Sequence, residues 1–263
     1  MKEQIANKKV VWLVGASTGI GEALAHQLAH KLDKQGGHLI ISARSESKLK
    51  DIASLHPNVS VVTVDVTDQK QVNDAGILIE AKFSALDQVI FNSGTCEYID
   101  VEDFSSSACQ QVMTTNFFGL TNIVEVALPL LSSHCNKTDT KEKSQLAIVS
   151  SSVSVLPMTK TQAYGASKAA VSYFAEAMKL DLAKKNIDVS LISPGFVKTP
   201  LTDRNDFPMP MRISAEEAAG EIIRGLDKRL WDIHFPKRFT WILRTIARLP
   251  VSIKHKILLQ MQS

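Results

Sequence analysis

The chain has 263 residues, of which 44% are hydrophobic and 22% charged, with a formal net charge of +3. This composition fits a globular protein with a sizeable core, and the charge excludes the strongly basic balance of a nucleic-acid-binding protein. Cys96, Cys109 and Cys135 show no CxxC spacing, which favours reduced thiols in a cytoplasmic protein, and no metal site is predicted. The first nine residues are polar, and no apolar run approaches the roughly 20 residues that span a bilayer, so we expect neither a signal peptide nor a transmembrane helix.

Short β-rich runs alternate with longer helical patterns along the chain. The predicted strands are Val10–Gly15, His38–Ala43, Val59–Val66, Gln88–Asn92, Leu146–Ser151, Val189–Ser193 and Ile233–Phe235. The predicted helices include Ile20–Leu32, Gln69–Lys82, Cys109–Leu131 and Gln162–Lys185. Several strands are uninterrupted apolar runs, as expected for parallel strands covered on both faces. The alternation predicts a single Rossmann-type α/β domain, an open doubly wound parallel sheet with helices on both faces.

Two segments interrupt this alternation. The polar stretch Ser132–Ser144 is interpreted as a surface insertion before a strand. Pro200–Pro210 contains three prolines and follows a strand end, where a binding loop or lid is expected. We therefore assign residues 196–213 to a substrate loop.

A glycine-rich turn joins the first strand to the first helix. Its glycines allow a tight turn and let backbone N–H groups approach a pyrophosphate, and the N-terminus of the helix adds donors and a favourable dipole. The spacing GxxxGxG resembles that of the short-chain dehydrogenase/reductase family, whose pattern is TGxxxGxG, although Val14 stands where that family usually has Thr. The predicted cofactor contacts of the turn are Gly15, Ser17, Thr18, Gly19, Ile20 and Gly21.

The end of the second strand indicates which cofactor is bound. NAD-selecting sites place a carboxylate there, which accepts from the ribose 2′-hydroxyl and repels a 2′-phosphate. This chain has Ala43 at that position and Arg44 next to it, and a guanidinium suits a phosphate in charge and geometry. We therefore predict NADP(H), a solvated Arg44 being the alternative. Asp65 and Val66 end the third strand; in the resembling family such an Asp binds the adenine, and a cap for the next helix is the alternative.

Tyr164-Gly-Ala-Ser-Lys168 is the strongest chemical signal in the sequence. The i, i+4 spacing puts Tyr164 and Lys168 on one helix face, where the ammonium favours the phenolate and so lowers a pKa that is normally near 10. Tyr164 then becomes a usable acid/base near neutral pH. The preceding strand delivers serine hydroxyls to the carboxyl edge of the sheet. In the resembling family a catalytic Ser lies thirteen residues before the Tyr, which is Ser151 here, with Ser152 as the alternative.

Further matches extend the resemblance over most of residues 8–200. The segment 91–94, Phe-Asn-Ser-Gly, stands where the family has NNAG. Asn116 matches the family's helical Asn, which holds a water in a proton relay through the Lys, a solvated or locally bonded side chain being the alternative. The segment 193–195, Ser-Pro-Gly, resembles the family's PG motif, after which Thr199 and the backbone of Val197 hold the nicotinamide carboxamide. The cofactor contacts implied by these matches are Asn92, Gly94, Pro194, Val197 and Thr199, together with Tyr164 and Lys168.

The resemblance implies an oxidoreductase that transfers a hydride between NADP(H) and a carbonyl or alcohol. Tyr164 would exchange the proton, Ser151 would hydrogen-bond the developing oxyanion, and Lys168 would hold the nicotinamide ribose. An apolar substrate pocket is suggested by Leu201, Phe207, Met209, Met211, Leu156 and Met158, with packing on the sheet as the alternative.

Two other functions were considered. A non-catalytic NADP(H) sensor on the same fold typically lacks the Tyr or the Lys, and both are present here. A nucleotide-sugar epimerase or dehydratase typically has a longer chain and GxxGxxG spacing. A small-molecule oxidoreductase that assembles as a homodimer or homotetramer, without nucleic acid, is therefore the prediction.

The C-terminal segment 237–260 has a basic amphipathic pattern. Its apolar residues at helical spacing are Phe239, Ile242, Ile246 and Leu249, and Arg244 and Arg248 lie among them. Such a stretch can lie in a membrane interface, cover a neighbouring subunit, or form the last helix of the domain. All three interpretations remain open from the sequence, including peripheral membrane contact.

Overall fold

A computed structural model of the protein describes residues 8–137, 143–204 and 209–260. Within these ranges the strands form one parallel sheet in the order β3-β2-β1-β4-β5-β6-β7. The strands are β1 Val10–Val14, β2 His38–Ser42, β3 Val59–Val61, β4 Gln88–Phe91, β5 Ser144–Val149, β6 Ile187–Pro194 and β7 Asp232–Phe235. The α-helices are α1 Gly19–Lys34, α2 Glu46–Ser54, α3 Gln69–Phe83, α4 Ser106–Met113, α5 Gly119–Lys137, α6 Gln162–Leu182, α7 Ala215–Asp227, α8 Lys237–Ala247 and α9 Val251–Gln260. The predicted Rossmann-type doubly wound sheet is confirmed, and the strand order reverses between β1 and β4, where such sheets bind ligands.

Alternate residues of the central strands enter two separate apolar cores. Trp12 of β1 packs on the face covered by α3, α5 and α6. Its neighbour Leu13 packs on the opposite face, under α1, α2 and α7. Both side chains are fully buried. Helices on both faces therefore explain why the strands are apolar runs rather than alternating patterns.

The helix predicted at Cys109–Leu131 is interrupted. It begins earlier, as α4, passes through a π-helical turn at Thr114–Phe118, and continues as α5 to Lys137. The predicted insertion Ser132–Ser144 is thus helical in its first part; residues 138–142 lie outside the described ranges. The polar start of the chain before residue 8 also lies outside them.

The third strand is shorter than predicted. Regular pairing ends at Val61 rather than at Val66. The backbone N–H groups of Val62 and Val64 nevertheless donate to the carbonyl oxygens of Ile41 and Ala43 at 3.0 and 3.1 Å. This irregular continuation carries the chain to the carboxyl edge of the sheet. No helix in the described ranges combines the length and apolarity needed to cross a membrane.

Candidate active site

The glycine turn is packed tightly against its neighbours. Gly15 has φ 88°, and its N–H donates to the carbonyl oxygen of Ser42 at 2.7 Å. The Asn92 side-chain amide donates to the carbonyl oxygen of Gly15 at 2.8 Å. A Cβ on Gly21 would lie only 1.8 Å from that same oxygen. Gly21 therefore allows α1 to approach the turn, but it does not line the cleft, unlike the other predicted residues of the turn.

The end of β2 presents the residues predicted to select the cofactor. Ala43 is buried, whereas Arg44 is exposed, and both line the cleft. Ser45, which starts the turn into α2, lines it as well. No sequence pattern singled out Ser45, although its hydroxyl directly follows the guanidinium-bearing residue. The end of β2 therefore brings a cation and a hydroxyl to the cleft, and Ala43 stands where a carboxylate would select NAD.

Asp65 lies at the same end of the cleft as Arg44, on the opposite wall. It lines the cleft, and its Oδ1 accepts hydrogen bonds from the backbone N–H and hydroxyl of Thr67 at 2.9 and 2.8 Å. The cap of α3 is a different residue, Asp68, which accepts from the N–H of Gln71 at 3.1 Å. Asp65 thus orders a turn beside the cleft and does not cap the helix. Val66 also lines the cleft.

Tyr164, Lys168 and Ser151 come together at the centre of the carboxyl edge. Tyr164 and Lys168 lie near the start of α6, and all three residues line the cleft. Ser151 follows β5, and its hydroxyl acts on the Tyr164 phenol, whose pKa it lowers. Its neighbour Ser152 is buried at the start of a 3₁₀ turn and does not line the cleft. Of the two serines considered, the structure brings Ser151 to the phenol.

Burial shifts the pKa values of this group strongly. It raises the pKa of Tyr164 to about 12; the charge of the Cys96 thiolate acts in the same direction, and the hydrogen bond from Ser151 opposes it. Burial lowers the pKa of Lys168 to about 8. The Tyr–Lys spacing predicts a lowered pKa for the phenol. The direction is opposite because loss of water around the hydroxyl is the largest influence on this pKa.

The Lys168 ammonium is held between β5 and the loop after β4. Its Nζ donates to the carbonyl oxygen of Val149 at 3.0 Å. A Cβ on Gly94 would lie 3.3 Å from that Nζ and 3.3 Å from the Asn116 Oδ1. Glycine at position 94 therefore allows the loop to pass close to both side chains. Gly94 and Asn92 both line the cleft.

Asn116 lies in the π-helical turn and is completely buried. Its Oδ1 accepts from the N–H of Thr95 at 2.7 Å, and its Nδ2 donates to the carbonyl oxygen of Thr95 and the hydroxyl of Ser167, both at 2.9 Å. The side chain does not line the cleft. Asn116 therefore ties the loop after β4 to α6, which bears Tyr164 and Lys168.

The segment after β6 closes the other end of the cleft. Pro194, Val197 and Thr199 line it as predicted, and a Cβ on Gly19 would lie 2.9 Å from the Thr199 Cγ2. Thr202, which the sequence analysis missed, joins this segment together. Its hydroxyl donates to the carbonyl oxygen of Val197 at 2.6 Å and accepts from the N–H of Thr199 at 3.1 Å.

Arg212, which does not line the cleft, holds the segment after β6 in place. Its guanidinium donates to the Thr202 hydroxyl at 3.0 Å and forms an ion pair with Asp203. No motif marks Arg212 or Thr202, because their pairing depends on how the loop folds back. The cleft that results has a volume of about 510 Å³.

The predicted apolar pocket is only partly present. Leu201 lines the cleft, whereas Met211 is largely exposed and Phe207 lies outside the described residues. Leu156 is fully buried and packs with Met158 in a cluster beneath the C-terminal helices. Leu156 therefore packs beneath α8, which is the alternative considered for it, and Met158 is partly buried against the same cluster.

A doubly wound sheet that carries a glycine turn and a Ser, Tyr and Lys cluster in one cleft is typical of dinucleotide-dependent oxidoreductases. The chain belongs to the short-chain dehydrogenase/reductase family: a family model described as short chain dehydrogenase matches residues 9–207.

Individual proteins agree with this membership. A protein of Staphylococcus epidermidis named as an uncharacterized oxidoreductase is 31% identical over 221 residues, which are 83% of this chain and 91% of that protein. The 11-beta-hydroxysteroid dehydrogenase A of Sesamum indicum is 31% identical over 76% of this chain, and the match spans 55% of its length.

Solved structures show the same fold. A short chain dehydrogenase from Burkholderia cenocepacia, in complex with NADP, superimposes with a TM-score of 0.80 at 23% identity, covering 97% of this chain and 98% of that chain. A member from Burkholderia phymatum, in complex with NAD, gives 0.78 at 20% identity, covering 91% and 93%.

Proposed function

We propose that the protein is an NADP(H)-dependent oxidoreductase that interconverts a carbonyl and an alcohol on a hydrophobic small molecule. The observation that carries this proposal is the meeting of Ser151, Tyr164 and Lys168 in the cleft that also contains the glycine turn. The cleft fits a dinucleotide because its turn exposes backbone groups and its length runs from Arg44 to the segment after β6. When bound, the nicotinamide supplies or accepts the hydride.

Each side chain has a distinct task in this proposal. A phenol with a pKa near 12 is protonated at neutral pH, so Tyr164 is ready to donate its proton to a carbonyl oxygen. Ser151 hydrogen-bonds the same oxygen as negative charge develops. Lys168, with a pKa near 8, is mostly an ammonium at pH 7, which suits ribose hydroxyls and favours the phenolate during proton transfer. Asn116 positions the loop and helix, and we retain a proton relay beside it as part of the proposal.

The preference for NADP(H) rests on the end of β2. Arg44 can pair with a 2′-phosphate, and Ala43 leaves no carboxylate to repel it. The solved relatives in complex with NAD and with NADP support a nicotinamide cofactor of either kind. NADP preference favours the reductive direction under cellular cofactor ratios.

The substrate is proposed to be hydrophobic. Relatives named as 11-beta-hydroxysteroid dehydrogenases support an apolar alcohol or carbonyl, and Leu201 gives the cleft an apolar wall. Residues 196–213 are proposed as the substrate loop, with the Arg212 ion pair holding its described part in place.

We also propose a homodimer or homotetramer in the cytoplasm. Large apolar side chains are exposed around α4, α5 and α6, as expected for a surface that another copy covers. They are Phe104, Phe118, Tyr173 and Leu180. Cys96 and Cys109 are free thiols, in keeping with a reducing compartment.

An activity screen tests the proposal directly. The protein is assayed with NADPH over aldehydes, ketones and 3-oxoacyl compounds of graded chain length, and rates should rise with apolar length. Tyr164→Phe should abolish turnover and leave NADPH binding nearly intact, because only the transferable proton is removed. Tyr173→Phe, on the same helix but 79% exposed, is the matched control. Normal turnover by Tyr164→Phe would refute the assignment.

A further inference from the structure

The C-terminal segment 237–260 differs in charge from the rest of the protein. It contains six basic residues and no Asp or Glu. They are Lys237, Arg238, Arg244, Arg248, Lys254 and Lys256. Because the whole chain carries only +3, the remainder is net negative. Positive charge is therefore concentrated in α8 and α9.

Helix α8 has one face in the protein and one face exposed. Phe239 and Leu243, one turn apart, are buried, and they pack on Leu156. Trp241 and Ile242 are 53% and 50% exposed. The exposed face continues at i, i+3 and i+4 spacing through Arg238, Trp241, Ile242, Thr245 and Arg248. An indole and an isoleucine thus lie in solvent between two guanidinium groups.

Helix α9 adds a second exposed apolar surface. None of its residues is buried, although Leu258 packs against the cluster beneath α8. Val251, Ile253 and Leu259 are 62%, 50% and 65% exposed. Lys256 lies among them and is exposed as well. Of the apolar residues at helical spacing in this segment, Phe239 is buried and Ile242 is exposed.

The segment lies beside the cleft. Helix α8 begins two residues after β7 ends, at the carboxyl edge of the sheet, which also carries the cleft. A Cβ on Gly195, which lines the cleft, would lie 2.8 Å from the Phe239 ring. The exposed residues of α8 and α9 are called the basic apolar surface below.

We propose that the basic apolar surface docks the protein onto an anionic lipid bilayer. Aromatic and aliphatic side chains enter the boundary between headgroups and acyl chains, while Lys and Arg contact anionic headgroups. A second copy is a poor occupant, because a twofold interface would place this surface against itself and its cations would meet cations. The nearby Asp232 carboxylate is already paired with Arg244. An anionic bilayer complements both the charge and the apolar area.

Vesicle binding by the full-length protein tests this proposal without any catalytic readout. Co-sedimentation with vesicles of phosphatidylcholine and phosphatidylserine should exceed that with phosphatidylcholine alone, and added salt should reduce it. Trp241 fluorescence should shift to the blue on binding, whereas Trp12 is fully buried and reports little. Trp241→Phe should lose most of the shift and still sediment.

Charge and apolarity are separated by paired variants. Arg248→Glu with Lys256→Glu should weaken vesicle affinity by at least a factor of about 25, since each of the two cations near an anionic surface contributes about a fivefold gain. The control, Lys184→Glu with Lys185→Glu, changes exposed lysines at the opposite edge of the sheet and should bind as wild type. Ile253→Ser should weaken binding to the anionic vesicles. The control is Leu55→Ser, which replaces a side chain that is 68% exposed just before β3 and should leave binding unchanged.

Two results would overturn the docking surface. The first is equal sedimentation of wild type and the tail variants at every lipid composition. The second is absence of vesicle binding together with a lowered oligomeric state of the tail variants in analytical ultracentrifugation, which would assign the surface to a subunit contact. Circular dichroism and NADPH titration of each variant confirm folding, so loss of binding is separable from loss of structure. A failure of the proposed catalytic function leaves these outcomes unchanged.

Discussion

Replacing Lys168 by Met removes a buried ammonium and keeps a side chain of similar length. In the native protein burial lowers the pKa of Lys168 from 10.5 to about 8. A lowering of this size means that the charged form loses about 3 kcal/mol of free energy on folding. The substitution also removes the donor to the carbonyl oxygen of Val149, which costs about 1 kcal/mol. We therefore expect Lys168→Met to be more stable than wild type by about 2 kcal/mol at pH 7, while losing turnover and NADPH affinity.

The stability difference between the two proteins should depend on pH. Between pH 8 and 10.5 the unfolded chain holds more protons at Lys168 than the native chain does, so wild-type stability rises with pH through that window. The Met variant lacks this contribution. The advantage of the Met variant should therefore be largest below pH 8. Above pH 10.5 only the lost hydrogen bond to Val149 remains, and the Met variant should be the less stable protein by about 1 kcal/mol.

Urea denaturation of both proteins without cofactor at pH 7 and pH 9.5 measures the difference. Lys184→Met, at an exposed position, is the matched control and should change stability little. A Met variant that is less stable than wild type at pH 7, or a difference independent of pH, would refute the argument that the ammonium is unfavourably buried.

Three further substitutions test the cofactor half of the cleft. Arg44→Ala should weaken the affinity for NADPH by one to two decades and spare that for NADH, since a charge-assisted contact is worth about 1.5–3 kcal/mol. Ala43→Asp should reverse the preference, so that NADH binds more tightly than NADPH. Fluorescence titration with both cofactors measures these affinities, and tighter NADH binding by wild type would contradict the prediction. Gly21→Ala should lower the Tm and abolish NADPH binding, because its Cβ would lie 1.8 Å from a carbonyl oxygen, whereas Gly220→Ala in α7 meets only a flexible guanidinium at 3.3 Å and should be tolerated.

Much of the fold could be predicted from local patterns. Apolar runs such as VVWLV contain the strand β1 because a strand covered on both faces needs no polar alternation. The prediction that Tyr164 and Lys168 share a helix face required only that their segment be helical, because they are four residues apart. That segment is the helix α6. The thirteen-residue separation of Ser151 and Tyr164 came from the family resemblance, and both residues line the cleft.

Features that depend on packing could not be predicted in this way. The π-helical turn contains the buried Asn116, whose amide bonds the backbone of Thr95, a contact that no local sequence pattern predicts. The raised pKa of Tyr164 reflects water excluded by the surrounding structure, which spacing along a helix does not reveal. Leu156 lies close to Ser151 in sequence, yet α8 returns from the far end of the chain to bury it.

The walls of the cleft come from distant parts of the chain, from Gly15 in the first turn to Thr202 after the sixth strand. No contiguous fragment contains the site, so a dinucleotide can bind only the completely folded domain. By thermodynamic linkage, ligand at a hundredfold excess over its Kd stabilises such a domain by about 2.7 kcal/mol. Local opening of one wall then requires release of the ligand, so resistance to proteolysis should rise together across distant segments. Cellular cofactor supply would in this way set the lifetime of the protein as well as its activity.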